Sequence, residues 1–170
     1  MIIGHGDIAC VLKDRRDLIF FASGLSNSKE KKESQYQPEK DLLLSQDRAK
    51  HLVYFGSLCI FYSNSRYAKH KRQMEELVKK NFPHYTILRM GNITWGKNPH
   101  TLINYLRAQA QKGKRLKIKN VYRYLVDKKE LLHWLAMIPS FNSEMNITGQ
   151  RFKVVEIVEK YVYTKKGRNA

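Results

Sequence analysis

Tyr67 and Lys71 stand four residues apart in "SRYAKHKRQMEE", a stretch with the composition of a helix. On a helix, positions i and i+4 share a face, so a phenol and an ammonium can point into the same space. A phenol with its ordinary pKa near ~10 is a poor acid or base at neutral pH, and a neighbouring ammonium stabilises the phenolate. That pairing is what a proton donor and acceptor for an alcohol or ketone requires. With ten tyrosines and 32 Lys+Arg in the chain, the spacing also arises by chance, so placement has to carry the reading. The pair follows "FGSLCIFY" by one loop, and Ser57 in that segment falls at a predicted strand end, where a hydroxyl can hold a substrate oxygen.

A second candidate is "GHGDIA", Gly4 to Ala9, which has the form GxGxxA directly after an apolar run. Following a strand and opening a helix, such a turn suits a dinucleotide. Gly4 permits the tight turn, Gly6 lets backbone approach a pyrophosphate, Ala9 allows close helix-to-strand packing, and the helix N-terminus brings the positive end of its dipole. Two glycines near a strand end are also, often, only a turn.

The elements that must position these groups alternate. "MIIG" and "DLIFFAS" read as strands with the helically spaced "DIACVLKD" between them. "GLSNSKEKKESQYQPEK" is polar, with almost nothing to bury, and predicts a mobile loop over about 24–36. A helix over 37–49, the strand "HLVYFGSLCIF", a long helix over 65–80 and the strand "YTILRM" follow. Beyond "GNITWGKNP" come a helix over 99–112, the strand-like "RLKIK", the extended "VYRYLV", a helix from Asp127, "MNITG" and a helix from about Lys153. Alternating strands and helices predict an α/β, doubly wound, mostly parallel sheet in a single domain spanning 1–170.

The chain has 170 residues and a hydrophobic fraction of 42%, enough for one buried core. No apolar run approaches the ~18 residues of a membrane span. No basic leader precedes "MIIGHG", and Cys10 and Cys59 lack metal or redox spacing, which together predict a cytoplasmic protein. A formal charge of +17 favours anionic partners without choosing among them. The basic residues are dispersed, as a solvated face would be, and no helix-turn-helix, RNP or zinc pattern supports nucleic acid as the partner. His51, His84 and His133 have no metal-ligand spacing, and Trp95 reads either as core or as a stacking surface for a base.

Taken in order, the GxGxxA turn, "DLIFFAS", "LVYFGSLCIFY", Tyr67 with Lys71, "ILRMGNITWG", "YLVDKKELLHWL" and "MNITGQRFKVVEIVEKY" resemble the extended short-chain dehydrogenase/reductase family, also called the NAD-dependent epimerase/dehydratase family. The resemblance is collinear over nearly the whole chain. It implies a Rossmann-like domain binding NAD or NADP and acting on a nucleotide-sugar or similar anionic small molecule. Tyr67 would be the catalytic acid/base, Lys71 would lower its pKa and hold the nicotinamide ribose, and Ser57 would orient the reacting oxygen. Gly4, Gly6 and Ala9 would line the pyrophosphate, with Arg89 to Asn92 passing near the nicotinamide and the substrate. A homodimer through the long helix is a further implication.

The departures from the family pattern are specific. The second and third strands, with their helices, are missing between Ala9 and Asp17, as is most of a C-terminal substrate lobe. The acidic residue expected about 20 positions after the fingerprint to bind the adenine ribose has no counterpart, which predicts weak dinucleotide binding. Glu30 and Glu33 fall in the polar loop, and Arg15 and Arg16 beside Asp14 and Asp17 read as a solvated turn. Three functions are compatible with these features: an NAD(P)-dependent oxidoreductase, epimerase or dehydratase acting on a nucleotide-sugar; a catalytically inactive family remnant serving as an interaction or regulatory subunit; and a basic nucleic-acid-binding protein.

Overall fold

The computed structural model describes residues 1–116 and 118–163. Its elements in chain order are β1 (Ile2–Ile3), β2 (Leu18–Phe21), α1 (Gln37–Leu44), β3 (His51–Ser57), α2 (Arg66–Asn81), β4 (Tyr85–Met90), β5 (Asn92–Ile93), α3 (Leu102–Gln111), β6 (Tyr122–Val126), α4 (Lys128–Ala136), β7 (Ser143–Ile147), β8 (Gln150–Lys153) and α5 (Val154–Tyr161). Short 3-10 turns occupy Ala9–Val11, Glu33–Gln35 and Leu58–Phe61.

Five strands form a wholly parallel sheet in the order β1-β2-β3-β4-β7. Its inner strands β2, β3 and β4 are buried at successive positions because both faces are covered, whereas the edge strand β7 is only partly buried. Leu18, Phe20, Val53, Phe55, Leu88 and Met90 meet Leu131 and Leu135 of α4 on one face. Ile19, Phe21, Leu52, Tyr54 and Ile87 meet Leu43 of α1 and Met74 and Val78 of α2 on the other. The first strand lies at the sheet edge, directly beside β2, as the missing second and third strands predict. A smaller sheet, β5-β6-β8, pairs β6 antiparallel to β8 and packs on α3 and α5 through Leu125, Ile103, Leu106 and Ile157.

Local chemistry sets the helix ends. The Ser65 hydroxyl caps α2 by accepting from the Ala68 N–H at 3.2 Å, and Lys79 and Lys80 fill its last turn, where positive charge meets the helix dipole. Asp127 caps α4 in the same way, accepting from the Glu130 N–H at 2.9 Å.

Four expectations need correction. "DIACVLKD" is not an α-helix but the three-residue turn Ala9–Val11, which continues as extended chain from Leu12. Few residues separate Gly6 from the start of β2, and a helix rising about 1.5 Å per residue returns too little chain to reach it, whereas an extended segment does. The segment "HLVYFGSLCIF" is a strand only as far as Ser57, where the serine hydroxyl accepts from the Cys59 N–H at 3.3 Å and turns the chain. The polar 24–36 segment does have something to bury: Tyr36 is wholly enclosed, and its hydroxyl donates to the Glu30 carbonyl at 2.9 Å. "RLKIK" is not a strand at its described residues, where the Ile118 N–H bonds locally to the Leu116 carbonyl at 3.1 Å; Lys117 lies outside them.

Candidate active site

In an open parallel sheet, ligands bind outside the carboxyl ends of the strands. Here those ends are Ile3 with Gly4, Phe21 with Ala22, Ser57, and Met90 with Gly91. Gly4 has φ +117°, and a Cβ on it would sit 2.6 Å from the Ala22 carbonyl oxygen, so glycine is required where β1 and β2 end side by side. Gly6 has open space where a Cβ would be, leaving its backbone approachable. Ala9 is buried. The glycine turn thus leaves its backbone open at Gly6, but the helix expected to supply a dipole there is not formed: Ala9–Val11 is a three-residue turn.

The same turn is held by a residue the sequence did not single out. The Asp7 carboxylate accepts from the backbone N–H groups of Lys97 and Asn98, each at 3.0 Å, and its carbonyl accepts from the Trp95 indole at 2.8 Å. Gly96, at φ +91°, passes so close to that carboxylate that no side chain would fit. Trp95 thus packs against the core and ties the 94–98 loop to the glycine turn.

Helix α2 carries Tyr67 and Lys71 over the turn that follows β3. Tyr67 is half-buried, and the Lys71 Nζ lies 5.8 Å from its ring centre. Among the described residues the Tyr67 hydroxyl has no hydrogen-bond partner, and Lys71 is engaged elsewhere. Its ammonium donates to Glu39 Oε1 at 2.8 Å and to the Tyr54 hydroxyl at 3.1 Å, fully inside the protein. His70 Nε2 meets Glu39 Oε2 at 2.8 Å, and the Leu25 N–H donates to the same oxygen at 3.1 Å. An ionised carboxylate only accepts, which assigns the proton to Nε2.

The electrostatics follow from this burial. Burial opposes ionisation of Glu39, but the Lys71 charge and the hydrogen bonds from His70 and Lys71 prevail and hold its pKa at about 2. Burial likewise opposes the Lys71 charge, and Glu39 overrides it, keeping the ammonium protonated well past its usual range. Burial pushes the Tyr67 phenol up, and Lys71 offsets this only in part. The lowered phenol pKa implied by the family resemblance is thus absent from this geometry. Burial also raises the Cys59 thiol, which lies beside the pair.

A depressed folded-state pKa stabilises the fold above the unfolded value of 4.5 and loses that contribution as pH falls towards 2. For Glu39 the difference corresponds to about 3 kcal/mol at 1.36 kcal/mol per pKa unit. Urea unfolding at pH 6 and pH 3 should show this loss in the native protein, and Glu39→Gln should remove most of the pH-dependent part. An unchanged pH dependence in Glu39→Gln would show that other carboxylates govern acid stability.

Arg89 and Asn92 are placed differently from the expectation. The Arg89 guanidinium is held by Glu75 of α2, with Nη2 to Oε2 at 2.7 Å, and also by Glu144 of β7, which in turn pairs with Lys79 at 2.8 Å. Asn92 donates through Nδ2 to the Tyr124 carbonyl at 3.2 Å, linking β5 to β6. Among the described residues, neither side chain hydrogen-bonds to Tyr67 or Lys71. His51 shares a hydrogen bond of 2.8 Å with Thr86 Oγ1 at the opposite, amino ends of the strands. No helix among the described residues is long and apolar enough to cross a membrane.

No protein-family model matches the chain, and no curated protein matches its sequence. Solved structures do resemble its fold. The Bordetella bronchiseptica enzyme WbmH, in complex with NAD+, aligns with TM-score 0.67 at 13% identity, over 89% of this chain and 60% of its own. UDP-glucose 4-epimerase of Thermotoga maritima, with UDP-glucose, aligns with TM-score 0.66 at 15% identity, over 88% and 62%. UDP-glucuronic acid 4-epimerase of Bacillus cereus, with UDP-glucuronic acid and NAD, aligns with TM-score 0.62 at 15% identity, over 84% and 57%. This chain therefore has the Rossmann-like α/β fold of nucleotide-sugar epimerases. It spans about three-fifths of the length of these structures.

Proposed function

We propose that this chain is a divergent, shortened member of the extended short-chain dehydrogenase/reductase family that binds NAD or NADP and modifies a nucleotide-sugar. Tyr67 is its acid/base and Ser57 orients the reacting oxygen. Lys71 is the cation that acts on the phenol and on the nicotinamide ribose. The observation that supports the reading is the order of the elements: Ser57 ends β3 at its carboxyl end, Tyr67 and Lys71 lie one helical turn apart on α2, the next helix, and the glycine turn after β1 leaves the Gly6 backbone approachable. A nicotinamide bound there supplies hydride transfer. The chain's own part is to move the proton: at neutral pH the raised phenol is protonated and donates to a substrate carbonyl oxygen, while Ser57 holds that oxygen by a hydrogen bond.

Affinity for the dinucleotide is expected to be low. The adenine ribose lacks its carboxylate, no helix dipole faces the pyrophosphate, and the Asp7 charge beside Gly6 opposes a phosphate. Two charge-assisted hydrogen bonds lost at about 1.5 to 3 kcal/mol each, discounted for exposure, weaken binding on the order of a hundredfold. Titration with NAD(H) and NADP(H), followed by reduced-cofactor emission, is expected to give a dissociation constant above about 100 μM. Low-micromolar binding would show that the missing strands do not matter to the pocket. Absence of binding by the folded protein at millimolar cofactor would overturn the enzymatic reading. It would favour instead a non-catalytic relative, a second reading supported by the engagement of Lys71 with Glu39.

A further inference from the structure

The Glu39 carboxylate of α1 sits at the centre of a buried polar cluster that includes Lys71 of the candidate pair. Four donors converge on it from three directions: Lys71 and His70 of α2, Tyr54 of β3, whose hydroxyl lies 3.3 Å from Oε1, and the Leu25 N–H of the loop after β2. The fit is close on the loop side as well. Gly24 has φ +152°, and a Cβ there would come within 2.7 Å of the carboxylate, so the chain after β2 is moulded to Glu39. Two of the three Lys71 N–H bonds are thereby directed at Glu39 and Tyr54, and neither of these is directed at the Tyr67 hydroxyl.

The geometry points to Glu39 as the positioning residue of the Tyr67–Lys71 pair: its carboxylate latches the Lys71 ammonium against Tyr54 and keeps it from hydrogen-bonding the Tyr67 hydroxyl. This deepens the proposed function and rests on it for its catalytic meaning, although the latch itself is a property of the folded protein without ligand. While the latch holds, Tyr67 remains a weakly acidic phenol. Breaking it removes a nearby negative charge and frees a positive one, and both changes favour the phenolate. The groups that face Tyr67 are Lys71 on its own helix, Cys59 after β3, and Glu39 and Tyr36 from the α1 side, with Tyr54 of β3 beyond Lys71. Cys59, with its thiol raised by burial, adds no charge at neutral pH.

The test is the proton affinity of Tyr67 itself, followed by NMR of ring-labelled tyrosine, with the resonance assigned by its loss in Tyr67→Phe. Glu39→Gln keeps the size of the side chain and removes its charge; it is expected to lower the proton affinity of Tyr67 at least tenfold. Adding Lys71→Gln to that variant should reverse most of the change, because the freed ammonium is its main cause. A residue that only braces the fold would lower the unfolding midpoint and leave the Tyr67 titration where it was, and that result would overturn the inference. If Glu39→Gln does not fold, Tyr54→Phe releases one Lys71 bond and removes one donor from the carboxylate while leaving the carboxylate's charge in place; a smaller shift in the same direction is expected, and no shift would overturn the inference. The cofactor titration fails or succeeds independently, so a shifted phenol without nicotinamide binding would leave the latch standing and remove the proposed function.

Discussion

On the proposed function, Tyr67→Phe is expected to reduce nicotinamide-dependent turnover of a nucleotide-sugar by about 10²- to 10⁴-fold, the range of a positioned general acid or base. Cofactor affinity should change little. The substitution removes one oxygen from a half-buried ring whose hydroxyl has no hydrogen-bond partner among the described residues, so no buried donor or acceptor is orphaned and the unfolding free energy should stay within about 0.5 kcal/mol of the native value. The pH dependence distinguishes this role from simple packing. Burial raises the phenol, so carbonyl reduction, which needs the protonated form, should hold its rate through neutral pH and fall only above the ordinary phenol range. Alcohol oxidation needs the phenolate and should rise with pH over the same interval. Steady-state rates in both directions, carried from pH 6 to beyond the ordinary phenol range, would show this, and equal rates for Tyr67→Phe and the native chain would remove Tyr67 from the chemistry.

Arg89→Ala should act on stability instead. The Arg89 side chain is 11% exposed and that of Glu75 4%, and the two are joined by three N–H···O contacts of 2.7 to 3.0 Å. Gly56 of β3 makes room for them, since a Cβ there would lie 2.9 Å from Glu75 Oε1. Removing the guanidinium leaves the Glu75 carboxylate buried without its cation, which costs about 3–5 kcal/mol where a buried pair is broken from one side. Against a total of about 5–15 kcal/mol, that is a large fraction of the fold's stability. Urea unfolding measures it. Replacing both partners, as in Arg89→Met with Glu75→Leu, should recover much of the loss, because no unpaired charge then remains. A loss below about 1 kcal/mol for Arg89→Ala would show that the pair is solvent-screened, and a selective loss of cofactor affinity would return Arg89 to the binding role that the resemblance implies.

Much of this protein was legible because it depends on local pattern. Continuous apolar runs such as "DLIFFAS" and "YTILRM" mark strands covered on both faces, and the order of strands and helices is sufficient for a parallel sheet with β1 at its edge. The ends of α2 and α4 follow from Ser65 and Asp127 and the residues that succeed them. The spacing of Tyr67 and Lys71 on one helix, and Ser57 at the end of β3, were also set by the chain alone.

What the partners of those groups would be was a tertiary matter. "DIACVLKD" has helical spacing, but the distance back to β2 decides for extended chain. Glu39 stands between Pro38 and Lys40 in a polar stretch and reads as solvated; only the packing of α1 on α2 turns it inward to meet Lys71, His70, Tyr54 and the Leu25 N–H. Asp7 likewise finds the backbone of Lys97 and Asn98 some ninety residues away, and Arg89 finds Glu75 and Glu144 across two elements. Composition and spacing determine which residues share a helix face or end a strand, because those depend on the helical and strand periods. Which buried charge neutralises which depends on contacts between elements distant in sequence, and in this chain those contacts direct Lys71 towards Glu39 and away from the Tyr67 hydroxyl.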